Sequence, residues 1–415
     1  MAGNANFLRS VATQAWLSQF DPTKQPTAQV MLEEMLLVSR DAFAHRLHAL
    51  VRNRIDAKPG CVGLYVEREW PARNDIPHRL FKQKKGSPKR AFGKGPDPIK
   101  PTRPYDLGVG SEGIVAQFLT EICRTSDGGV VMQPGPDAIR RKHIRRFILV
   151  TDFIGSGTRS WRYLQAAWRV ASVRSWWSRR TTTGMAFEVI TYSGTDAGIQ
   201  RVRSHPSTPL VSQVASCPTI SNSFSGAKFR DVLALCENHN PKKSFPALGI
   251  GHSGALIAFA HGAPNNCPAC LYKRGGGWEP LFSARVTETT RTAFANNNPD
   301  EDVQARLIQM GQRRLAEPAL QTVAASRRAL LVVMAALCKP PRTFEAVSRK
   351  TRLTLFEVEQ EVAMGVALGW IDARNRVTDT GHAELARVRA TSNNGESVPK
   401  SPDTLYYPTS LRAPM

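Results

Sequence analysis

Apolar residues recur along this chain at two periods, and the switches between them outline its organisation. Phe43, Leu47 and Leu50 fall at three- and four-residue steps behind Ser39, which predicts a capped helix over about 40–54. Residues 1–60 thus read as a helical N-terminal region. Residues 62–66 read as a short strand. Residues 147–150 form a continuous apolar run, as in a buried strand. A glycine-rich turn through Ser160 follows, then a helix with Leu164, Ala167, Trp168 and Ala171 on one face. Strand patterns return at 186–191, 210–214 and 255–260, with helix-length segments between them. This alternation predicts an α/β domain over 61–285, built on a mostly parallel sheet covered on both faces. Before the buried strand, Gly108, Gly110 and Gly113 crowd a turn, and Ile114, Phe118, Leu119 and Ile122 mark a helix face.

The second half reads differently. Residues 286–319 are polar and Asn-rich, as in a linker or connecting helix. Residues 320–390 carry a three-helix pattern: an apolar core helix at 329–337 stopped by Pro340 and Pro341, a helix capped by Thr343, and a third opened by Thr354 with Glu357 three residues later, a capping box. Trp370, Ile371, Arg374, Arg376, Val377 and Thr378 suggest a hairpin wing, so the unit reads as a winged-helix domain. Residues 391–415, rich in Pro, Ser and Asn, read as a mobile tail.

Charge changes the picture more than composition does. The 415 residues hold 56 Lys and Arg against 34 Asp and Glu, a net charge of +22. Such a chain attracts polyanions, and nucleic acid or a nucleoprotein is the economical partner. Residues 71–105 concentrate the effect, with ten basic residues, two Asp and seven Pro. They read as a basic insertion with too little apolar area to order by itself. Lys84, Lys85, Lys89 and Arg90 in it, and Arg140, Arg141 and Lys142 beyond it, are the candidate nucleic-acid contacts. Arg169, Arg174, Arg179 and Arg180 interleave with Trp168, Trp176 and Trp177, a mixture suited to single strands; Trp168 reads as core. No run is long enough to span a bilayer, and no secretory leader is visible, so a cytoplasmic location is expected. The seven scattered cysteines read as reduced thiols. Only Cys267 and Cys270 are closely paired; with His261 and Cys236 or His239 a zinc site is conceivable, although no second close pair completes it.

The chemistry concentrates in Phe147-Ile-Leu-Val-Thr-Asp152-Phe-Ile-Gly155-Ser156-Gly157-Thr158-Arg159-Ser160. A buried strand ends in one carboxylate, and a small-residue loop then opens a helix. The first helical N–H groups lack internal partners and favour an anion. Two glycines allow close approach, three hydroxyls add donors, and Arg159 adds charge. Asp152 is placed to accept from sugar hydroxyls at a strand's carboxyl end. A second stretch, His261-Gly-Ala-Pro-Asn265-Asn266, also follows a strand. There His261, Asn265 and Asn266 either read a base or ribose or simply stabilise a turn.

The stretch from Asp152 to Arg159 resembles the phosphoribosyl-pyrophosphate signature of type I phosphoribosyltransferases. The resemblance implies a sheet of that kind. It makes Gly155, Ser156, Gly157, Thr158, Arg159 and Ser160 the 5′-phosphate loop, and Asp152 the ribose contact and candidate catalytic residue. Gly110, Ser111, Glu112 and Gly113 are similar in kind to the pyrophosphate loop. Magnesium with phosphoribosyl pyrophosphate or a nucleotide is the implied cofactor set. Residues 16–20, 64–69, 110–113, 152–157, 261–266 and 278–282 also resemble the phosphoribosyltransferase-like proteins of bacterial antiphage systems. With the winged helix, the order resembles a retron effector, which implies a toxin held by a reverse transcriptase and its DNA–RNA hybrid. Two departures matter: Thr151 stands where most active transferases carry an acid, and Gly155 where some purine-salvage members do. Base transfer, glycosidic cleavage and nucleotide sensing without chemistry all stay open. A DNA-binding regulator is the other alternative. Against it, residues 355–368 hold Glu357, Glu359 and Glu361 and no Lys or Arg, so the domain either docks protein or meets nucleic acid only through Arg349, Lys350, Arg352, Arg374 and Arg376.

Overall fold

The computed structural model describes residues 5–99, 111–126, 128–282, 303, 306–308, 310–316, 323 and 325–391. Helices α1 (Ala5–Arg9), α2 (Val11–Leu17) and α3 (Gln25–Glu33) lead to strand β1 (Leu36–Val38) and helix α4 (Arg40–Asp56). Ser39 caps α4, its hydroxyl accepting from the Ala42 amide. Strand β2 (Val62–Val66) precedes two hairpins, β3 (Ala72–Arg73) with β4 (Ile76–Pro77) and β5 (Lys82–Gln83) with β6 (Ala91–Phe92). Then come α5 (Ser111–Thr125), β7 (Val130–Met132), α6 (Pro136–Arg141), β8 (Arg146–Ile154), α7 (Thr158–Trp168), α8 (Ala171–Ser178), β9 (Ala186–Gly194) and α9 (Asp196–Arg203). Strand β10 (Leu210–Ser216), α10 (Ile220–Ser223), α11 (Gly226–Asn238), β11 (Ile257–Phe259) and α12 (Ala269–Tyr272) complete the body.

The central sheet is wholly parallel, in the order β7-β2-β8-β9-β10. Counted along the chain this is 2-1-3-4-5, a doubly wound order whose switch point lies between β2 and β8. Both faces are covered, which is why β8 reads as unbroken apolar sequence. Ile148 and Val150 join the core beneath α4, α5 and α11, and Phe147 and Leu149 join the core beneath α7 and α8. Tyr65 stacks on Phe147 with ring centroids 3.8 Å apart.

The N-terminal helices share the first of these cores. Strand β1 pairs in parallel with β11, forming a separate two-stranded sheet. The Trp16 indole donates to the Cys270 carbonyl, and Trp16 and Phe20 meet Trp278 edge-on.

The basic insertion differs from its expectation. Within residues 71–99 the two hairpins lie against the body, with Leu80, Phe81 and Ala91 buried. The Leu80 amide donates to the Ala166 carbonyl, and the Ala91 amide to the Ser172 hydroxyl. Three apolar residues and these backbone bonds anchor a segment whose charges point outward. Residues 100–105 lie outside the described residues.

His205 is fully buried between Gln165 Oε1 and Ser207 Oγ, at 3.2 and 2.8 Å. Burial lowers its pKa to about 4. Below the ordinary value of 6.5 the unfolded chain takes up a proton that the fold refuses. Stability from this group is therefore complete above about pH 6.5 and lost as pH falls towards 4. An imidazole NMR titration should show His205 neutral at pH 5, and His205→Gln should flatten that part of the stability profile.

The C-terminal unit comprises α13 (Arg313–Ala316), α14 (Ala325–Leu337), α15 (Phe344–Thr351), α16 (Leu355–Ala367) and α17 (Asp379–Thr391). The Thr354–Glu357 capping box forms, and Ile371 bridges Val377 across the wing. Leu307 and Leu315, from the predicted linker, are buried in the same core as α14. The unit packs on the body's edge strand, α15 and α16 lying against β10. Arg349 donates to Ser216 Oγ at 2.9 Å and lies 3.5 Å from Asp196, and Arg352 donates to the Glu34 carbonyl. Lys350 bonds three carbonyls at the end of α14 and just beyond it. Three cations considered for nucleic acid thus bind the chain itself, and the edge of the sheet is covered. The tail beyond residue 391 lies outside the described residues.

Candidate functional site

The carboxyl ends of β2 and β8 meet at the switch point of the sheet, and a cavity of about 510 Å³ opens there. Its walls include Asp152 of β8, the whole 155–160 loop, Glu67 just past β2, and the 261–266 segment that follows β11. The loop's conformation depends on its glycines. Gly157, at φ 72°, stands at the N-cap of α7, so no side chain caps that helix. The N-terminal turn of α7 therefore faces the cavity with no N-cap side chain and no acidic residue in it, the preceding Ser156 taking up the Thr158 amide. Gly155 is forced by packing: a Cβ there would lie 1.9 Å from the Asn266 side chain. The Ser156 hydroxyl accepts from the Thr158 amide at 3.4 Å and donates to its hydroxyl at 3.1 Å.

Glu67 organises the loop from beneath. It is 2% exposed. It accepts from the Thr151 hydroxyl at 2.7 Å, from the Ser160 hydroxyl, and from Arg159 Nε at 2.8 Å. Burial raises its pKa, and the Arg159 cation opposes that shift without cancelling it. Arg159 also reaches Glu112 at 3.2 Å and Asp152 at 3.7 Å. Burial alone would lower the guanidinium's pKa, but Glu67, Asp152 and Glu112 outweigh it and raise it. On the other side of Asp152, His261 Nε2 stands 3.6 Å from Oδ2. The His261 ring stacks on Phe259 and meets Phe43 edge-on.

Gly155, Ser156, Gly157, Thr158, Arg159 and Ser160 therefore line one cavity with Asp152, His261, Asn265 and Asn266. They differ in what their polar ends do. Ser160 and Arg159 are engaged by Glu67, and Asn266 spends its amide N–H groups on the Ile250 carbonyl and Ser253 Oγ. Asn265 is exposed at the rim. The turn expected over 108–113 is in part helix: α5 begins at Ser111, with Glu112 and Gly113 in its first turn, and Gly110 lies outside the described residues. Glu112 enters the site through Arg159 instead.

Glu67 was missed. An acid directly after a five-residue strand of small and apolar side chains was the available signal, since burying it demands a cation.

The candidate nucleic-acid residues gather elsewhere. Lys84, Arg90, Arg140 and Arg141 line one shallow basic depression with Phe92 and Asp137. Lys85, Lys89 and Lys142 are exposed. Arg140 pairs with Asp137 at 2.8 Å and lies over the Trp176 ring. Trp177 donates to the Ser207 carbonyl, meets Trp168 edge-on and carries Arg180 at 3.7 Å.

Cys267 and Cys270 are buried, and the Cys267 thiol donates to the Ile257 carbonyl. Burial pushes that thiol up to about 12. Among the described residues no group of three or more His, Cys, Asp or Glu is placed to hold a metal ion, and no helix is long and apolar enough to cross a membrane.

Two family models match the chain. One, described as PRTase-CE, covers residues 13–283, and the other, described as wHTH-PRTase associated, covers residues 331–413. No curated protein and no solved structure matches it. The first model spans the parallel sheet, the switch-point cavity and the N-terminal region from within α2 onward, well over half of the chain, and on that match the protein belongs to the PRTase-CE family, with a phosphoribosyltransferase-like body followed by a winged-helix domain.

Proposed function

We propose that the switch-point cavity takes a phosphoribosyl compound, either phosphoribosyl pyrophosphate or a nucleotide, and that the protein is the effector of a bacterial antiphage system. The observation that carries the reading is the convergence of the uncapped α7 N-terminus and Asp152 on one cavity. A 5′-phosphate at residues 155–158 meets backbone N–H groups and the helix dipole. A ribose beyond it reaches Asp152, with His261 and Asn265 along the far wall. Asp152 and the exposed Glu69 are few hard-oxygen donors, which fits a magnesium ion arriving on the ligand's phosphates better than one caged by protein. Magnesium would neutralise those phosphates, while Asp152 orients the sugar hydroxyls.

The antiphage part of the proposal rests on the resemblance of the chain to phosphoribosyltransferase-like conflict proteins and on its architecture. A retron arrangement, with a reverse transcriptase and its DNA–RNA hybrid as holder, agrees with the net charge of +22 and with the exposed basic face around Lys84, Arg90 and Arg141. A sequence-reading role for the winged helix is disfavoured, because α16, which would enter a groove, packs on β10.

The test is calorimetric titration of the purified protein with phosphoribosyl pyrophosphate and nucleotides, with and without magnesium, followed by chromatography of the mixtures. Asp152→Ala should weaken binding about 10–100-fold, the worth of a charge-assisted hydrogen bond. Product formation would assign an enzyme, and saturable binding without product a sensor. Equal affinity in the Asp152→Ala protein would overturn the site.

A further inference from the structure

The outward face of α16 is apolar. Phe356, Met364, Val366 and, just beyond the helix, Leu368 are between 45% and 48% exposed. The other exposed large apolar side chains among the described residues stand one to an element or loop, so the exposure is concentrated here. Ala363 and Ala367 are exposed as well, and residues seven and eleven along from Phe356 return to its side of the helix. Val358 and Val362 point the other way, into the core of the unit. The stripe from Phe356 to Leu368 is about 18 Å long at 1.5 Å per residue. Its Phe356 end opens into a groove of about 450 Å³ against α4, with Ala49, Leu50 and Val214 among its walls. The stretch 355–368 holds three acids and no base.

We propose that residues 404–412 of this chain, which lie outside the described residues, dock on this face and complete the winged-helix unit. The match to the winged-helix family model carries on past α17 to residue 413, so the unit as that family defines it includes this segment. It reads Thr404-Leu-Tyr-Tyr-Pro-Thr-Ser-Leu-Arg412, and Pro408 disfavours a helix there. In an extended segment Leu405, Tyr407 and Leu411 share one side. Their strip is about 20 Å long at 3.3 Å per residue, which matches the stripe on α16. A tyrosine suits the groove beside Phe356, offering an apolar body to Ala49 and Leu50 and a hydroxyl to the exposed Asn53. Arg412, the single charge of the segment, is opposite in sign to the acids of α16. From Thr391, where α17 ends, the chain to Thr404 reaches at most about 43–47 Å. A unit of this size is roughly 25–30 Å across, so each of its faces lies within reach. With the segment seated, the face that a third helix ordinarily turns to a DNA groove is closed by the chain itself.

The experiment is photo-crosslinking in the full chain, with Met364→p-benzoylphenylalanine as the probe, followed by trypsin digestion and mass spectrometry. A comparison protein also carries Leu405→Ser and Tyr407→Ser. Met364 is exposed, so the probe should leave the fold intact, and thermal melting of each protein checks this. The expected result is a crosslink to the tryptic peptide 401–412 in a monomer-sized product. Its yield should not change on dilution, and it should be lost in the serine variant. Without the probe, trypsin should cleave the native chain after Arg412 about tenfold faster when Leu405→Ser and Tyr407→Ser are present, because cleavage then no longer waits for the segment to open. A crosslink confined to a dimer-sized product would assign the face to a second copy and overturn the proposal. Crosslinks to other peptides, no crosslink at all, or a 401–412 crosslink indifferent to the serine substitutions would overturn it equally.

Discussion

Replacing Arg146 with alanine should destabilise the protein by about 3–5 kcal/mol, the cost of breaking a buried ion pair from one side. Arg146 opens β8, and its Nε donates to Glu188 Oε1 at 2.6 Å. Both side chains are 6% exposed. The remaining guanidinium N–H groups donate to the carbonyls of Arg54 and Ile55, in the last turn of α4. One side chain therefore serves a buried carboxylate and two carbonyls that the helix cannot satisfy internally. Arg54 also reaches Glu188, at 2.8 Å, but from a more exposed position. Burial alone would raise the pKa of Glu188; the hydrogen bonds and charges of Arg146 and Arg54 outweigh it and hold the group below its ordinary value. Its stabilising contribution is present above the unfolded pKa and lost as pH falls through the folded one. Urea unfolding should show the full loss in Arg146→Ala, and a smaller one when Arg146→Met and Glu188→Leu are combined, since no carboxylate is then left buried opposite a missing cation, while the Arg54 and Ile55 carbonyls and the Arg54 cation still lose their partner. Equal losses in the single and double variants would refute the account.

The second large effect is expected at Arg159. Arg159→Ala removes the cation that opposes the burial of Glu67. Because the Arg159 side chain is 36% exposed, the expected cost is the smaller figure of about 1.5–3 kcal/mol, that of hydrogen bonds to a charged group. The pH dependence carries the sharper signature. The folded pKa of Glu67 lies above the unfolded value of 4.5, so its stabilising contribution is complete below pH 4.5 and is lost as pH rises through the folded pKa. Without Arg159 that pKa climbs further, and the decline extends to higher pH. Glu67→Gln removes this decline, and in the Arg159→Ala background it should restore most of the lost stability. Unfolding midpoints from pH 4 to 8 in the four proteins measure this, and a decline that persists in Glu67→Gln would assign the effect to another group. Binding of the phosphoribosyl ligand proposed for the switch-point cavity should weaken in Arg159→Ala as well, since Arg159 ties Glu112 and Asp152 to the loop.

What could be read before folding was whatever a segment imposes on its own neighbours. The apolar run of β8, the small residues after Asp152 and the Thr354–Glu357 box all express local rules, and the corresponding elements stand where those rules put them. The parallel sheet followed from strands alternating with helices. Long-range pairing escaped the reading. Leu80 and Phe81 look like strays in a basic segment until α7 and α8 supply a surface for them. Residues 36–38 give no sign of a strand until β11 arrives as partner. The site divides in the same way. Asp152 and the loop carry a local pattern, whereas Glu67 becomes part of the site only because β2 and β8 are neighbours. The winged helix showed its acidic third helix in sequence, but not that β10 would be the surface it covers.

Trp16 donates its indole N–H to a carbonyl 254 residues further along the chain. At about 5–20 residues per second, a ribosome needs roughly 13–50 s to deliver that acceptor after the tryptophan has emerged. Throughout that interval the first helices are translated but cannot complete their native packing, and Trp16 and Phe20 remain open to chaperones and to one another. Maturation of this protein is therefore decided late in synthesis, when the end of the body returns to its beginning.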